Sequence, residues 1–157
     1  MATTKKVGIC GSGIMGSGLA EVAAKAGYDV VVRSRSKATA EAMLASIEKG
    51  LDKQVQREKI SAEDKAAVLS RLFATDAVAD LKDCDLVIES VVEDLAVKKA
   101  LFAELDAAVK PGALLATNTS TLPVVEMAMA TSRPDRVCGI HFFNPATAMP
   151  LVEVVNP

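Results

Sequence analysis

An apolar run, Val7-Gly8-Ile9-Cys10, gives way to Gly11-Ser12-Gly13-Ile14-Met15-Gly16, after which apolar residues recur at helical spacing (Met15, Leu19, Val22, Ala23, Ala26) as far as Gly27. That order predicts a strand, a tight turn and a helix. A G-x-G-x-x-G in this context has a physical reason for each glycine. The first permits the turn, the second lets backbone approach a pyrophosphate, and the third lets the helix pack on the strand. The helix amides then face the phosphates, so residues 11–16 read as a dinucleotide-binding turn rather than as a ligand-free glycine loop.

The rest of the chain repeats the rhythm. Asp29-Val30-Val31-Val32-Arg33 is a second strand rich in β-branched residues, and Lys37 to about Arg57 carries Ala42, Met43, Ile47, Leu51 and Val55 at helical spacing. Ser61 with Asp64 predicts a cap for a further helix to about Leu69. Short strands follow at 72–74, 86–88 and 113–116, with a helix from Leu95 to Val109 capped by Asp94 and ended by Pro111-Gly112. Val137 to Ile140 and Leu151 to Val155 read as two more strands. Apolar strands alternating with helices predict an α/β doubly wound, mostly parallel sheet of Rossmann type. The helical stretches from 37 to about 70 exceed what a crossover needs and are expected to project as an antiparallel pair.

With 157 residues, half of them apolar, one domain over 1–157 is the expectation. A formal charge of -2 and a pI near 5.5 argue against nucleic acid and anionic lipid as partners. No apolar run is long enough to cross a bilayer and no cleavable apolar leader precedes the first strand, so a soluble cytoplasmic protein is expected. Cys10, Cys84 and Cys138 form no C-x-x-C pair, which argues against disulfides and a metal site. The single histidine, His141, makes it the first candidate for acid–base work.

The residues after the second strand bear on the nucleotide. An NAD reader is commonly an acid about 20 residues past the first glycine. Here the stretch reads Arg33-Ser34-Arg35-Ser36-Lys37, with no acid. A guanidinium with neighbouring hydroxyls suits a 2′-phosphate, so NADP is favoured over NAD. Asn118-Thr119-Ser120-Thr121 sits past the end of a predicted parallel strand, where such sheets bind ligands. His141-Phe142-Phe143-Asn144-Pro145 follows another strand end, and Glu153 interrupts Leu-Val-Glu-Val-Val as an acid expected to be buried and in need of a partner. His141, Glu153 and Ser120 together fit a base, its orienter and a further hydrogen-bonding group for removing a hydroxyl proton while a hydride leaves the same carbon.

These blocks carry a resemblance that runs from Val7 to the last residue. Gly-Ser-Gly-Ile-Met-Gly at 11–16, Val-Ile-Glu-Ser-Val-Val-Glu-Asp at 87–94, Asn-Thr-Ser-Thr at 118–121 and Gly-Ile-His-Phe-Phe-Asn-Pro at 139–145, with their spacing, resemble the 3-hydroxyacyl-CoA dehydrogenases, especially the short bacterial 3-hydroxybutyryl-CoA group. The resemblance implies reversible oxidation of an L-3-hydroxyacyl-CoA with a nicotinamide cofactor. It makes His141 the general base, Glu153 its orienting carboxylate and Ser120 the binder of the substrate oxygen. It places Gly11 to Gly16, Glu93, Lys98, Asn118, Ser120 and Asn144 around the cofactor. The helical pair would clamp CoA, with Gly50 where the family often has serine and Arg57 where it often has lysine. Ser34 with Arg35 stands where the family has the acid that reads NAD. The family's second, all-helical domain, which supplies its dimer interface and part of its acyl pocket, has no counterpart in this sequence, so a homodimer is expected only through that domain. Two other readings stay open: a dehydrogenase of small sugar acids of the L-gulonate type, for which the CoA clamp would be dispensable, and a nucleotide-binding module with weak turnover.

Overall fold

The computed structural model describes residues 4–157. Five-residue strands β1 (Lys6–Cys10) and β2 (Asp29–Arg33) flank helix α1 (Ile14–Lys25) in the chain, followed by α2 (Lys37–Gln56), α3 (Ala62–Ser70) and β3 (Leu72–Thr75). Then come β4 (Leu86–Glu89), α4 (Leu95–Ala108), β5 (Leu114–Thr117), the short α5 (Val124–Ala128), β6 (Val137–Phe142) and β7 (Val152–Val155). They form one seven-stranded sheet in the order β3-β2-β1-β4-β5-β6-β7, parallel except for the antiparallel β6–β7 pair. The chain reverses direction of travel across the sheet between β1 and β4, and the crevice outside their C-terminal ends is where a ligand fits.

Period-two alternation sends β1 to both layers. Val7 and Ile9 join a buried cluster with α1, α2 and α3, including Leu19, Met43, Ile47, Leu51 and Val68. Cys10 faces a second cluster with α4 and α5, including Phe102, Leu105 and Met127. Burial on both faces explains why the strands lack polar alternation. Two caps fall where the sequence predicts them, with Ser61 and Asp64 forming a capping box and Asp94 accepting from the Val97 amide; Ser36, which the sequence reading did not single out, caps α2 by accepting from the Thr39 amide.

The helical pair differs from the expectation in how it is rooted. Ala40, Met43, Ile47 and Leu51 are buried on the sheet side, so α2 is packed against the β2–β3 edge and α1. Its 20 residues span about 30 Å, against about 16 Å for the neighbouring strands, so α2 is about twice as long as the strands beside it. Strand β6 also runs further than the sequence predicts. Pairing with β7 carries it to Phe142, so His141 lies inside a strand instead of beyond its end.

Asp85 ties β1 into the sheet. Its carboxylate accepts from Lys110 Nζ at 2.6 Å and from the Lys6 and Lys5 amides at 2.9 and 2.8 Å. The lysine, then the two amides, hold this carboxyl far below the ordinary carboxylate range. A folded-state pKa below the unfolded one stabilises the fold fully above about pH 4, and that contribution is lost as the pH falls further. Asp85→Asn is therefore expected to cost about 1–2 kcal/mol at neutral pH and to flatten the acid limb of the stability curve, measured by denaturant titration at several pH values.

Candidate active site

The glycine turn is sterically determined. Gly11 has φ of +122°, donates its amide to the Arg33 carbonyl at 3.0 Å, and would place a Cβ 2.2 Å from the Ser90 carbonyl oxygen. A Cβ on Gly16 would lie 2.1 Å from the Gly11 carbonyl oxygen. Gly13 is different: a Cβ there meets nothing within 4 Å, and the helix start beside it has no side-chain cap and no acid in its first turn. Open space above uncapped helix amides is what a pyrophosphate requires. Ile14 is 78% exposed at the same lip, and Ser12, Ile14, Ser17, Thr39 and Met43 border a hollow of about 500 Å³.

At the end of β2, Ser34 is buried and shares hydrogen bonds with the Ser12 hydroxyl at 2.8 Å and the Thr39 hydroxyl at 2.7 Å. Arg33 turns its Nε to the Asp76 carbonyl, whereas Arg35 and Lys37 are exposed. The basic groups facing solvent beside the hydroxyl cluster are thus Arg35 and Lys37.

Across the crevice the ends of β4 and β5 hold a charged network. Lys98 Nζ lies 2.5 Å from Glu89 Oε1 and 3.2 Å from Glu93 Oε2. The Thr119 hydroxyl donates to Glu93 Oε1. Burial pushes the Glu93 carboxyl up, but the Thr119 hydroxyl and the Lys98 charge outweigh it and leave the group below the ordinary carboxylate range. Glu93 is therefore an anion at neutral pH, with its side chain 43% exposed. Lys98, expected at the cofactor, is 1% exposed and wholly engaged by the two glutamates, so it reaches a ligand only through Glu93. Glu89, which sequence reasoning missed, is fully buried at the centre.

His141 and Glu153 are direct cross-strand partners in the β6–β7 register, and Nδ1 meets Glu153 Oε2 at 2.8 Å. A carboxylate there holds the proton on Nδ1 and leaves Nε2 as the basic nitrogen. Glu153 departs from the expectation in being 55% exposed, because β7 is an edge strand with all four residues open to solvent. The Phe143 ring sits 4.6 Å from the imidazole, and Asn118 Oδ1 accepts the Phe142 amide at 2.8 Å, which fixes the strand end carrying the histidine. Ser120 is exposed and shares with His141, Glu153 and Thr121 a hollow of about 490 Å³. Asn144 is exposed beyond β6, and neither Gly50 nor Arg57 borders either hollow.

A doubly wound sheet with a glycine turn at its reversal point and a carboxylate across the crevice, with an imidazole–carboxylate pair nearby, is the architecture of a dinucleotide-binding domain. The family model for the 3-hydroxyacyl-CoA dehydrogenase NAD-binding domain matches residues 6–157, and the chain belongs to that family. A 3-hydroxybutyryl-CoA dehydrogenase of Bradyrhizobium diazoefficiens is 46% identical over 155 residues, covering 99% of this chain and 53% of the relative. Among solved structures, FadB2 of Mycobacterium tuberculosis superposes with a TM-score of 0.94 at 45% identity, over 98% of this chain and 54% of that one. The 3-hydroxybutyryl-CoA dehydrogenase of Escherichia coli gives 0.95 at 42% identity, over 98% of this chain and 32% of that one. The chain spans about half the length of the curated relatives it matches.

Proposed function

We propose that the enzyme carrying this chain reversibly oxidises an L-3-hydroxyacyl-CoA, with 3-hydroxybutyryl-CoA and acetoacetyl-CoA as the pair. The observation that carries this reading is the 2.8 Å contact between His141 Nδ1 and Glu153 in a hollow shared with Ser120. Glu153 holds the imidazole in the tautomer whose Nε2 accepts the substrate's C3 hydroxyl proton, and its charge stabilises the resulting imidazolium. The Ser120 hydroxyl hydrogen-bonds the C3 oxygen and sets its distance from the base. A bound nicotinamide would supply the acceptor for the C3 hydride. Gly11, Ser12, Gly13, Ile14, Met15 and Gly16 would hold its pyrophosphate, and Glu93, Asn118 and Asn144 its nicotinamide half. Gly50 and Arg57 on the α2 side would meet the CoA moiety, with Arg57 exposed to pair with a phosphate.

A second, helical domain would complete the acyl pocket and dimerise the protein. It is supported by the apolar surface around β7, where Leu151 and Val154 are 55% and 72% exposed. A cytoplasmic setting is supported by the free cysteines Cys10, Cys84 and Cys138, which form no disulfide.

The cofactor preference we infer is NADP(H). It is supported by the absence of an acid at residues 33–37 and by exposed Arg35 and Lys37 beside the Ser12–Ser34–Thr39 hydroxyls. Fluorescence titration of the chain is expected to give tighter binding of NADPH than of NADH by about tenfold. Ser34→Asp is expected to reverse that order, because a carboxylate there repels the 2′-phosphate and accepts from a ribose hydroxyl. Tighter NADH binding by the native chain overturns the preference and leaves the reaction standing.

A further inference from the structure

Two acids share one buried ammonium in this fold, and stability does not account for the arrangement. Glu89, Lys98 and Thr117 are 0%, 1% and 0% exposed, although apolar residues of the same volume often serve a core at least as well as a buried ion pair does. What the network does accomplish is visible at Glu93. Its Oε2 is held by Lys98 Nζ at 3.2 Å, and its Oε1 takes the Thr119 hydroxyl. Both holders are fixed by Glu89. The first is direct, since Glu89 Oε1 binds the ammonium at 2.5 Å and also takes the Val91 amide at 2.6 Å. The second runs through Thr117, whose hydroxyl donates to Glu89 Oε2 at 2.7 Å and accepts the Thr119 amide at 3.2 Å.

We infer that Glu89 is a positioning residue for nucleotide binding: by anchoring Lys98 and the Thr117–Thr119 segment, it holds the partly exposed Glu93 carboxylate in the one orientation that faces the crevice. The inference rests on the reading of the crevice as a nicotinamide site. Without the Glu89 charge, the ammonium has Glu93 as its remaining anion and draws that carboxylate inward, away from a ligand's hydroxyls.

The test is a titration of the chain with NADH and, separately, NADPH, followed by the nucleotide's own fluorescence or by calorimetry, alongside thermal melts without nucleotide. Glu93→Gln is expected to weaken NADH about tenfold, and Glu89→Gln, which keeps shape and removes charge, about five- to tenfold. The double variant is expected to bind no more weakly than Glu93→Gln alone, because Glu89 acts only through Glu93. A structural role for Glu89 predicts instead that the two losses multiply, whereas a lowered melting temperature in Glu89→Gln is expected on either reading because a buried ammonium loses an anion. Native affinity in Glu89→Gln, or multiplied losses, overturns the inference while the weakened Glu93→Gln keeps the nucleotide site. Failure of the native chain to bind either NADH or NADPH, or an unaffected Glu93→Gln, removes the site reading and the inference with it. Should Glu89→Gln not fold, Thr117→Val keeps both charges and removes one anchor; it is expected to weaken NADH about two- to threefold, only when Glu93 is present. Unchanged affinity in that variant overturns the inference as well.

Discussion

Replacing His141 with alanine in the enzyme that carries this chain is expected to lower kcat by about 10³-fold and to leave NADH and NADPH affinity within about twofold. The separation follows from where the groups lie. The imidazole sits on β6 against Glu153, whereas the glycine turn, Ser34 and Glu93 occupy the ends of β1, β2 and the loop after β4. Loss of a general base removes an interaction made as the proton moves, so kcat falls and ground-state binding does not. Glu153→Gln is expected to cost less, about 10- to 100-fold, because a carboxylate 55% exposed is partly replaceable by water as a partner for Nδ1. The measurement is acetoacetyl-CoA reduction followed at 340 nm, paired with nucleotide titration of the same preparations. A kcat within threefold of native for His141→Ala would remove the histidine from the chemistry.

How much of this was legible in sequence depends on how local each feature is. The glycine turn, the helix caps and the alternation of apolar strands with helices are set within one turn or one strand, and the structure keeps them within a residue or two. The His141–Glu153 pair was readable as composition and not as geometry. The cross-strand contact of His141 with Glu153 depends on the antiparallel register of β7, a relation between segments separated by a proline-bearing loop. That register also lengthens β6 past His141 and leaves Glu153 on an open edge, where an acid among apolar residues suggests burial. Glu89 escaped notice because an acid closing an apolar strand reads as its polar end. A signal was present in α4. Lys98 precedes Leu101 and Leu105 by three and seven residues, so it falls on that helix's buried stripe, and a lysine there demands a buried acid.

Gly16 and Gly13 of the turn should separate fold from ligand, and a large stability effect is expected at Gly16. A Cβ there falls 2.1 Å from the Gly11 carbonyl oxygen, and both groups are backbone within a turn already bound to β2 through the Gly11 amide, so neither can yield cheaply. Gly16→Ala is expected to destabilise the chain by about 3 kcal/mol, measured by denaturant unfolding without nucleotide. Gly13→Ala is expected to behave oppositely. Its φ of -77° suits alanine and no atom stands within 4 Å of the added methyl, so the unliganded chain should melt within about 2 °C of native. The same methyl occupies the space over the α1 amides, and NADH affinity is expected to fall by about 100-fold or more. A Gly13→Ala chain that keeps both its melting temperature and its NADH affinity would mean that the pyrophosphate lies elsewhere. One that loses stability would mean that the open space over Gly13 is closed by the fold itself rather than kept for a ligand.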